Sequence, residues 1–193
     1  NDTFLIDKMA VCVASRLFDI ILGEHQKWAA GFTNPLIVGN PSFTTRSKWR
    51  FPALPRAEQE VKMIAALLQS NKPLTGDSAT KTTLLKRVEN ADLLYFATHA
   101  LSDLEDSRKR SFIVFAESGS DPGLWTMEEI LDKHYKARLA VVTACQTGLG
   151  ETYTGGISAL GRTFQIAGVP QVPMTLWSVH DAATYALMHP FVT

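Results

Sequence analysis

The chain has 193 residues, of which 46% are hydrophobic, and its 19 basic and 19 acidic residues give a formal net charge of zero. This length and apolar content suit one sizeable globular domain, residues 1–193, with a buried core. The charge balance, with no basic cluster longer than Arg108–Arg110, argues against nucleic acid or a membrane as a direct partner.

The ends and the cysteines of the chain indicate a location. No apolar run approaches the roughly 18 residues of a membrane-spanning helix, and the first residues do not resemble a signal peptide. Only two cysteines occur, Cys12 and Cys145, which favours a reducing, cytoplasmic compartment over a disulfide framework. The missing initiator Met suggests a fragment of a longer chain.

Hydrophobic periodicity predicts alternating strands and helices along the chain. The first predicted elements are a strand at 9–14, a helix from Ser15, a strand at 35–38, a helix at 54–69 and an edge element at 72–76. A helix capped by Asp77 or Ser78 then runs to 88, and it is followed by a strand at 93–100 with His99 at its end and by a strand at 112–116. The last elements are a short helix with Thr126 and Glu129 at capping-box spacing, a strand at 139–142, a helix at 156–167 that ends at Gly168, a strand at 172–177 and a helix at 182–188. This alternation predicts an α/β fold, a three-layer α/β/α sandwich around a mostly parallel sheet.

Two of the predicted strands end on residues that can carry chemistry. The apolar run Leu139–Val142 leads to Cys145 in a turn that contains Gly148 and Gly150, and the strand from Leu93 ends on His99. Neighbouring parallel strands end at one edge of a sheet, where ligands bind. A cysteine attacks as the thiolate and needs a nearby base, so the pattern indicates a cysteine nucleophile with a histidine partner. The glycine-rich turn and the helix that follows it can direct backbone N–H groups at an oxyanion.

Each of these residues also has a simpler interpretation. Cys145 could be an inert buried thiol, as Cys12 is expected to be, and His99 a hydrogen-bonded histidine at a strand end. His180 is expected to be an ordinary loop residue. The histidines and cysteines do not fall at zinc-ligand spacing and the glycines form no dinucleotide or P-loop motif, so no metal and no cofactor is expected.

Four segments together resemble the CHAT family, a caspase-like group often fused to tetratricopeptide repeats. They are Phe-Ala-Thr-His-Ala at 96–100, Thr-Ala-Cys-Gln-Thr-Gly-Leu-Gly at 143–150, Gly-Gly-Ile-Ser-Ala-Leu-Gly-Arg-Thr-Phe at 155–164 and Thr-Leu-Trp-Ser-Val-His-Asp at 175–181. The caspase signature Gln-Ala-Cys, followed by Arg, Gln or Gly, is partly matched by Ala144, Cys145 and Gln146. The resemblance extends over nearly the whole chain from about Met9.

The resemblance implies the fold of a clan CD cysteine endopeptidase, related to caspases and separases. His99 would be the general acid and base and Cys145 the nucleophile, with the backbone N–H groups of Ala100 and Cys145 forming the oxyanion hole. Related peptidases usually have glycine after the histidine. Ala100 keeps the N–H but restricts φ, so this role requires an ordinary backbone there.

Candidate substrate-binding residues follow the nucleophile and the last predicted strand. They are Gln146, Glu151, Trp177 and Asp181. Asp181 suits the N-cap of the helix that follows it, and its functional alternative is a carboxylate that pairs with a basic substrate side chain; Glu151 has the same two interpretations. Trp177 could line the cleft or close the core. The family's usual Trp-Pro-Val-Asp-Asp reads Trp-Ser-Val-His-Asp here, and family members continue beyond Thr193.

The resemblance also implies the partners. The substrate would be a protein or peptide cut at few positions, under the control of an attached regulatory domain such as tetratricopeptide repeats or another sensor. The alternative is a catalytically silent module that binds a peptide or a partner in the same cleft; a degenerate module would be expected to have lost the pair His99 and Cys145.

Overall fold

The computed structural model describes residues 31–43, 50–70, 72–101, 111–143 and 154–173, with the side chains of 154–159 left aside. Contacts within the chain divide it into two units, residues 1–31 and residues 32–193. All the elements below belong to the second unit. The predicted strand at 9–14, the helix from Ser15 and the helix at 182–188 lie outside the described residues.

The described residues form seven strands and four helices; separate strands at 100–101 and 124–126 are not among the elements that the sequence predicts. The strands are β1 (Pro35–Pro41), β2 (Leu74–Gly76), β3 (Leu93–Ala97), β4 (Ala100–Leu101), β5 (Phe112–Val114), β6 (Leu124–Thr126) and β7 (Leu139–Val142). The helices are α1 (Pro55–Leu67), α2 (Lys81–Leu85), α3 (Met127–Leu131) and α4 (Thr154–Ile166). None of the helices within the described ranges is long and apolar enough to cross a membrane.

Four strands form a parallel sheet in the order β2-β1-β3-β7. Beyond β7, the described start of the predicted strand at 172–177 continues this sheet. Ala140 N donates to Gln171 O (2.9 Å) and Val142 N to Pro173 O (3.1 Å). Because β3 and β7 are parallel neighbours, their carboxyl ends lie on the same edge.

Both faces of this sheet are covered by helices, which explains the continuous apolar runs of its strands. On one face, Ile37 of β1 and Tyr95 of β3 pack against Val61 and Ile64 of α1. On the other face, the alternate strand residues pack in the larger core with residues of α2, α3 and α4: Leu36, Val38, Leu94, Phe96, Ala140 and Val142. The predicted α/β fold, with helices on both sides of a mostly parallel sheet, is confirmed.

A second, antiparallel sheet, β4-β5-β6, receives the chain after β3. The prediction of one strand from 93 to 100 is therefore wrong at its end, because β3 stops at Ala97. The reason is hydrogen bonding to β5. Thr98 Oγ1 donates to Val114 O (2.6 Å), and Val114 N donates to His99 O (2.9 Å). His99 thus lies where the chain passes from one sheet to the other.

Side-chain caps set where the short helices begin. The capping box of α3 is confirmed, since Thr126 Oγ1 accepts from Glu129 N (3.3 Å) and Glu129 Oε2 accepts from Thr126 N (2.9 Å). The cap predicted for α2 is wrong, because Thr80, not Asp77 or Ser78, accepts from Thr83 N. Ser78 instead closes the preceding turn by donating to Thr75 O (2.7 Å).

Candidate active site

The candidate site begins where β3 and β7 end side by side. Phe96 pairs with Val142 in the parallel register, and Thr143 N donates to Phe96 O (3.0 Å). His99 follows the end of β3 by two residues. Cys145 lies outside the described residues, two positions after Thr143, and two residues of chain span at most about 7 Å.

The imidazole of His99 is fully buried and held on three sides. Its Nε2 lies 2.8 Å from Pro52 O, and its ring stacks on Phe51 with centroids 5.2 Å apart and planes at 26°. The ring of Phe43 lies 4.8 Å away at 58°. A carbonyl oxygen can only accept, so Nε2 carries the proton of this hydrogen bond. In the neutral ring, Nδ1 is then the nitrogen with the basic lone pair.

The backbone beside the imidazole belongs to strand β4. Ala100 pairs with Ile113 of β5, and no positive φ occurs at Ala100. Alternate residues of an antiparallel strand direct their backbone groups to the partner strand. Because His99 O accepts from Val114 N, the N–H and C=O of Ala100 point away from β5. Alanine therefore meets the condition of an ordinary backbone that the sequence analysis set for this position.

A buried carboxylate connects the ends of the two strands to helix α1. Glu60 is 1% exposed, and its Oε1 accepts from Tyr95 Oη (2.8 Å) in β3 and from Thr143 Oγ1 (2.9 Å) after β7. Burial, together with the carboxylate of Glu60, raises the pKa of Tyr95, so the phenol keeps the proton that it donates. Glu60 therefore holds the described end of β7 against β3.

Of the residues predicted to form the site, His99 and Ala100 are described, and they lie where the chain passes from the parallel sheet to the antiparallel sheet. The others lie outside the described residues: Cys145, Gln146, Glu151, Trp177 and Asp181. Within the described ranges, no group of three or more His, Cys, Asp and Glu side chains could hold a metal ion.

The sequence analysis missed the groups that surround His99. Pro52 contributes a backbone carbonyl, which residue type does not reveal, and Phe43 and Phe51 lay in a segment interpreted only as an aromatic, proline-bounded loop. Glu60 did have a signal. It lies three residues after Ala57 and four before Ile64, so helical spacing places it on the buried face of α1.

Comparisons with known proteins agree with the fold. The family model described as "CHAT domain" matches residues 1–193. Tetratricopeptide repeat protein 28 of Mus musculus is 28% identical over 213 residues, which cover 88% of this chain and 9% of that protein. Tetratricopeptide repeat protein 28 of Homo sapiens is 26% identical over 189 residues, covering 80% of this chain and 8% of that protein. The chain thus spans less than a tenth of the length of these relatives.

Proposed function

The chain belongs to the CHAT domain family, and from that premise we propose that it is a cysteine endopeptidase in which Cys145 and His99 form the catalytic pair. The observation that carries this proposal is the hydrogen bond from His99 Nε2 to Pro52 O. It fixes the neutral ring with Nδ1 as the base, and it leaves Nε2–H anchored while Nδ1 exchanges a proton.

The reaction begins with transfer of the Cys145 thiol proton to Nδ1 of His99. The thiolate attacks a peptide carbonyl, and the new S–C bond places a negative charge on the carbonyl oxygen. The backbone N–H groups of Ala100 and Cys145 stabilise that oxyanion. Collapse breaks the C–N bond as His99 protonates the leaving amine. Water, deprotonated by His99, then hydrolyses the thioester and restores the thiol.

The substrate is an extended segment of a protein or peptide. Gln146, Glu151, Trp177 and Asp181 line its binding site in this proposal. The two carboxylates favour a basic side chain before the cleaved bond, and Trp177 an apolar one. The relatives are tetratricopeptide repeat proteins by name, which supports control by an attached repeat domain. The cytoplasmic location in this proposal rests on the low cysteine content of the sequence.

Labelling with a peptidyl acyloxymethyl ketone tests the proposal. Peptides ending in Lys and in Leu cover the two predicted preferences, and C12S removes the other thiol of the chain. We expect one label per chain in C12S and none in C12S/C145A. H99A should slow labelling by about 10²-fold or more, the range of a lost general base. Equal labelling with and without Cys145 would exclude the peptidase.

The burial of His99 also fits a second function. A fully buried histidine packed against Phe43 and Phe51 is what a purely structural residue would look like. In that case the same cleft binds a peptide or a partner without cutting it. Binding of an uncleaved peptide with equal affinity by the protein and by C145A, without labelling of either, distinguishes this module from the enzyme.

A further inference from the structure

Asn40 has a backbone conformation that calls for an explanation. Its φ is +44°, in the left-handed region that residues other than glycine rarely adopt. It lies near the end of β1, where the pairing with β2 slips between Gly39 and Pro41. Such a conformation costs free energy and persists only where surrounding contacts impose it, often beside a functional site.

The side chain of Asn40 is held by two hydrogen bonds to the start of α1. Its Oδ1 accepts from Leu54 N at 2.7 Å, and its Nδ2 donates to Glu58 Oε2 at 3.2 Å. Leu54 is the N-cap residue of α1 and makes no capping bond with its own side chain. Asn40 therefore fixes the backbone N–H at the point where the preceding loop enters the helix.

That loop, residues 51–54, carries two of the three groups that hold the imidazole of His99. Phe51 stacks on the ring and Pro52 O lies 2.8 Å from Nε2. Pro52 and Leu54 are two residues apart, and Pro55, the first residue of α1, restricts the backbone of Leu54. A displacement of Leu54 N is therefore transmitted to the carbonyl that His99 uses.

We propose that Asn40 is a positioning residue which, through Leu54 and Pro52, holds His99 in the tautomer with the proton on Nε2. The catalytic meaning of this role rests on the proposed function, because the thiol of Cys145 requires an imidazole nitrogen that can accept its proton, and in this tautomer that nitrogen is Nδ1. The tautomer itself is a property of the folded protein and can be observed whether or not the protein cleaves peptides.

The experiment compares the protein with N40A, N40G and the double variant N40D/E58Q. N40G permits the positive φ without strain and removes only the side chain. N40D/E58Q reverses the donor and the acceptor between positions 40 and 58 while keeping an oxygen for Leu54 N. E58Q alone is the matched control, because it leaves the hydrogen bond from Leu54 N to Asn40 Oδ1 in place.

The first measurement is the tautomer of neutral His99, read from ¹⁵N–¹H NMR spectra of the ring, with H99Q to assign its signals among the five histidines. We expect the Nε2–H form in the protein, E58Q and N40D/E58Q. N40A and N40G should show the Nδ1–H form or a mixture. A folded N40G with an unchanged Nε2–H tautomer would overturn the proposal.

The second measurement is the rate of Cys145 labelling by the peptidyl ketone at pH 7. We expect a loss of tenfold or more in N40A and N40G, and rates within threefold of the parent in E58Q and N40D/E58Q. An unchanged rate in N40G would also contradict the role of Asn40. If the parent protein is not labelled, the proposed function fails, while the tautomer still decides whether Asn40 positions His99.

Discussion

Glu60 is the residue on which the described edge of the site depends most directly. It is a carboxylate on the buried face of α1, and it accepts hydrogen bonds from side chains that belong to β3 and to the end of β7. A buried acceptor that loses a donor is costly, because no water replaces the lost bond. These two donors therefore contribute to both stability and the placement of the strand ends.

Removing either donor tests this network. Y95F and T143V should each lower the free energy of unfolding by about 1 to 3 kcal/mol, the cost of an incompletely satisfied buried group. Urea titration followed by tryptophan fluorescence measures the change. T143S keeps the hydroxyl and should cost less than T143V. Y135F is the matched control for the phenol, since Tyr135 Oη donates to a partly buried backbone carbonyl, Ile130 O.

The combination Y95F/T143V adds a second criterion. Both hydroxyls donate to the same oxygen of Glu60, so their effects should not add, and a coupling of about 0.5 kcal/mol or more is expected. Strict additivity, or single losses below about 0.5 kcal/mol, would contradict the network.

At the residue scale, the sequence pattern identifies candidate side chains but not the groups that surround them. His99 stands out because an apolar strand leads to it, and helical spacing is able to reveal Glu60. Pro52, the hydrogen-bond acceptor for His99 Nε2, could not be identified from a pattern of side chains. Pro52 acts through its carbonyl oxygen, and a backbone atom has no signature in the side-chain pattern. Loop geometry around Leu54 and Asn40 decides where that atom lies, and this geometry follows from contacts between distant segments.

At the scale of elements, β1 and α1 are in close contact at Gly39. A Cβ added to Gly39 would lie 2.6 Å from Val61 Cγ1 and 2.9 Å from Ala57 O. Glycine therefore allows α1 to approach β1, and with it the loop that carries Pro52. The requirement is for space, because the φ of Gly39 is not positive.

G39A should destabilise the protein by about 1 to 3 kcal/mol through overpacking. Chemical denaturation measures the loss. G31A is the control, since no atom lies within 4 Å of a Cβ built there, and it should change stability by less than about 0.5 kcal/mol. V61A makes room on the facing helix, so G39A should cost less in that background than alone. A neutral G39A would mean that the helix moves away without penalty.

The elements also show where sequence patterns are sufficient. The continuous apolar runs at β1, β3 and β7 predict buried parallel strands because both faces of that sheet are covered. The end of β3 is set differently. Thr98 and His99 form hydrogen bonds with Val114, which lies 15 positions after His99. No local sequence pattern indicates that the chain leaves the parallel sheet here and joins the antiparallel sheet.

At the scale of the whole molecule, carboxylates with lowered pKa values link stability to pH. Partial burial alone would raise the pKa of Asp92, but hydrogen bonds from Thr33 and from Asn34 N lower it overall. The pKa of Glu129 is also lowered, for a similar reason. Its burial opposes ionisation, but the ammonium of Lys81 at 2.7 Å and the bonds from Thr126 lower its pKa.

Both groups bind protons less readily in the folded chain than in the unfolded one. Their stabilisation is therefore complete above the pKa of the unfolded carboxyls and is lost as the pH falls through the lower, folded values. The contribution of these two carboxylates to the urea midpoint should be constant from about pH 7 to pH 5 and fall below about pH 4. D92N removes one of the titrations and should reduce this acid dependence. Parallel curves for D92N and the parent would contradict the assignment to Asp92.

The pH dependence of Cys145 alkylation shows whether His99 activates this cysteine. In the C12S background, iodoacetamide reacts with one thiol, and its rate follows the thiolate fraction. We expect Cys145 to react at least tenfold faster at pH 6.5 than it does in the H99Q variant, with its rate profile displaced below the ordinary thiol pKa of about 8.5. Identical profiles in the two proteins, both centred on that ordinary value, would contradict it.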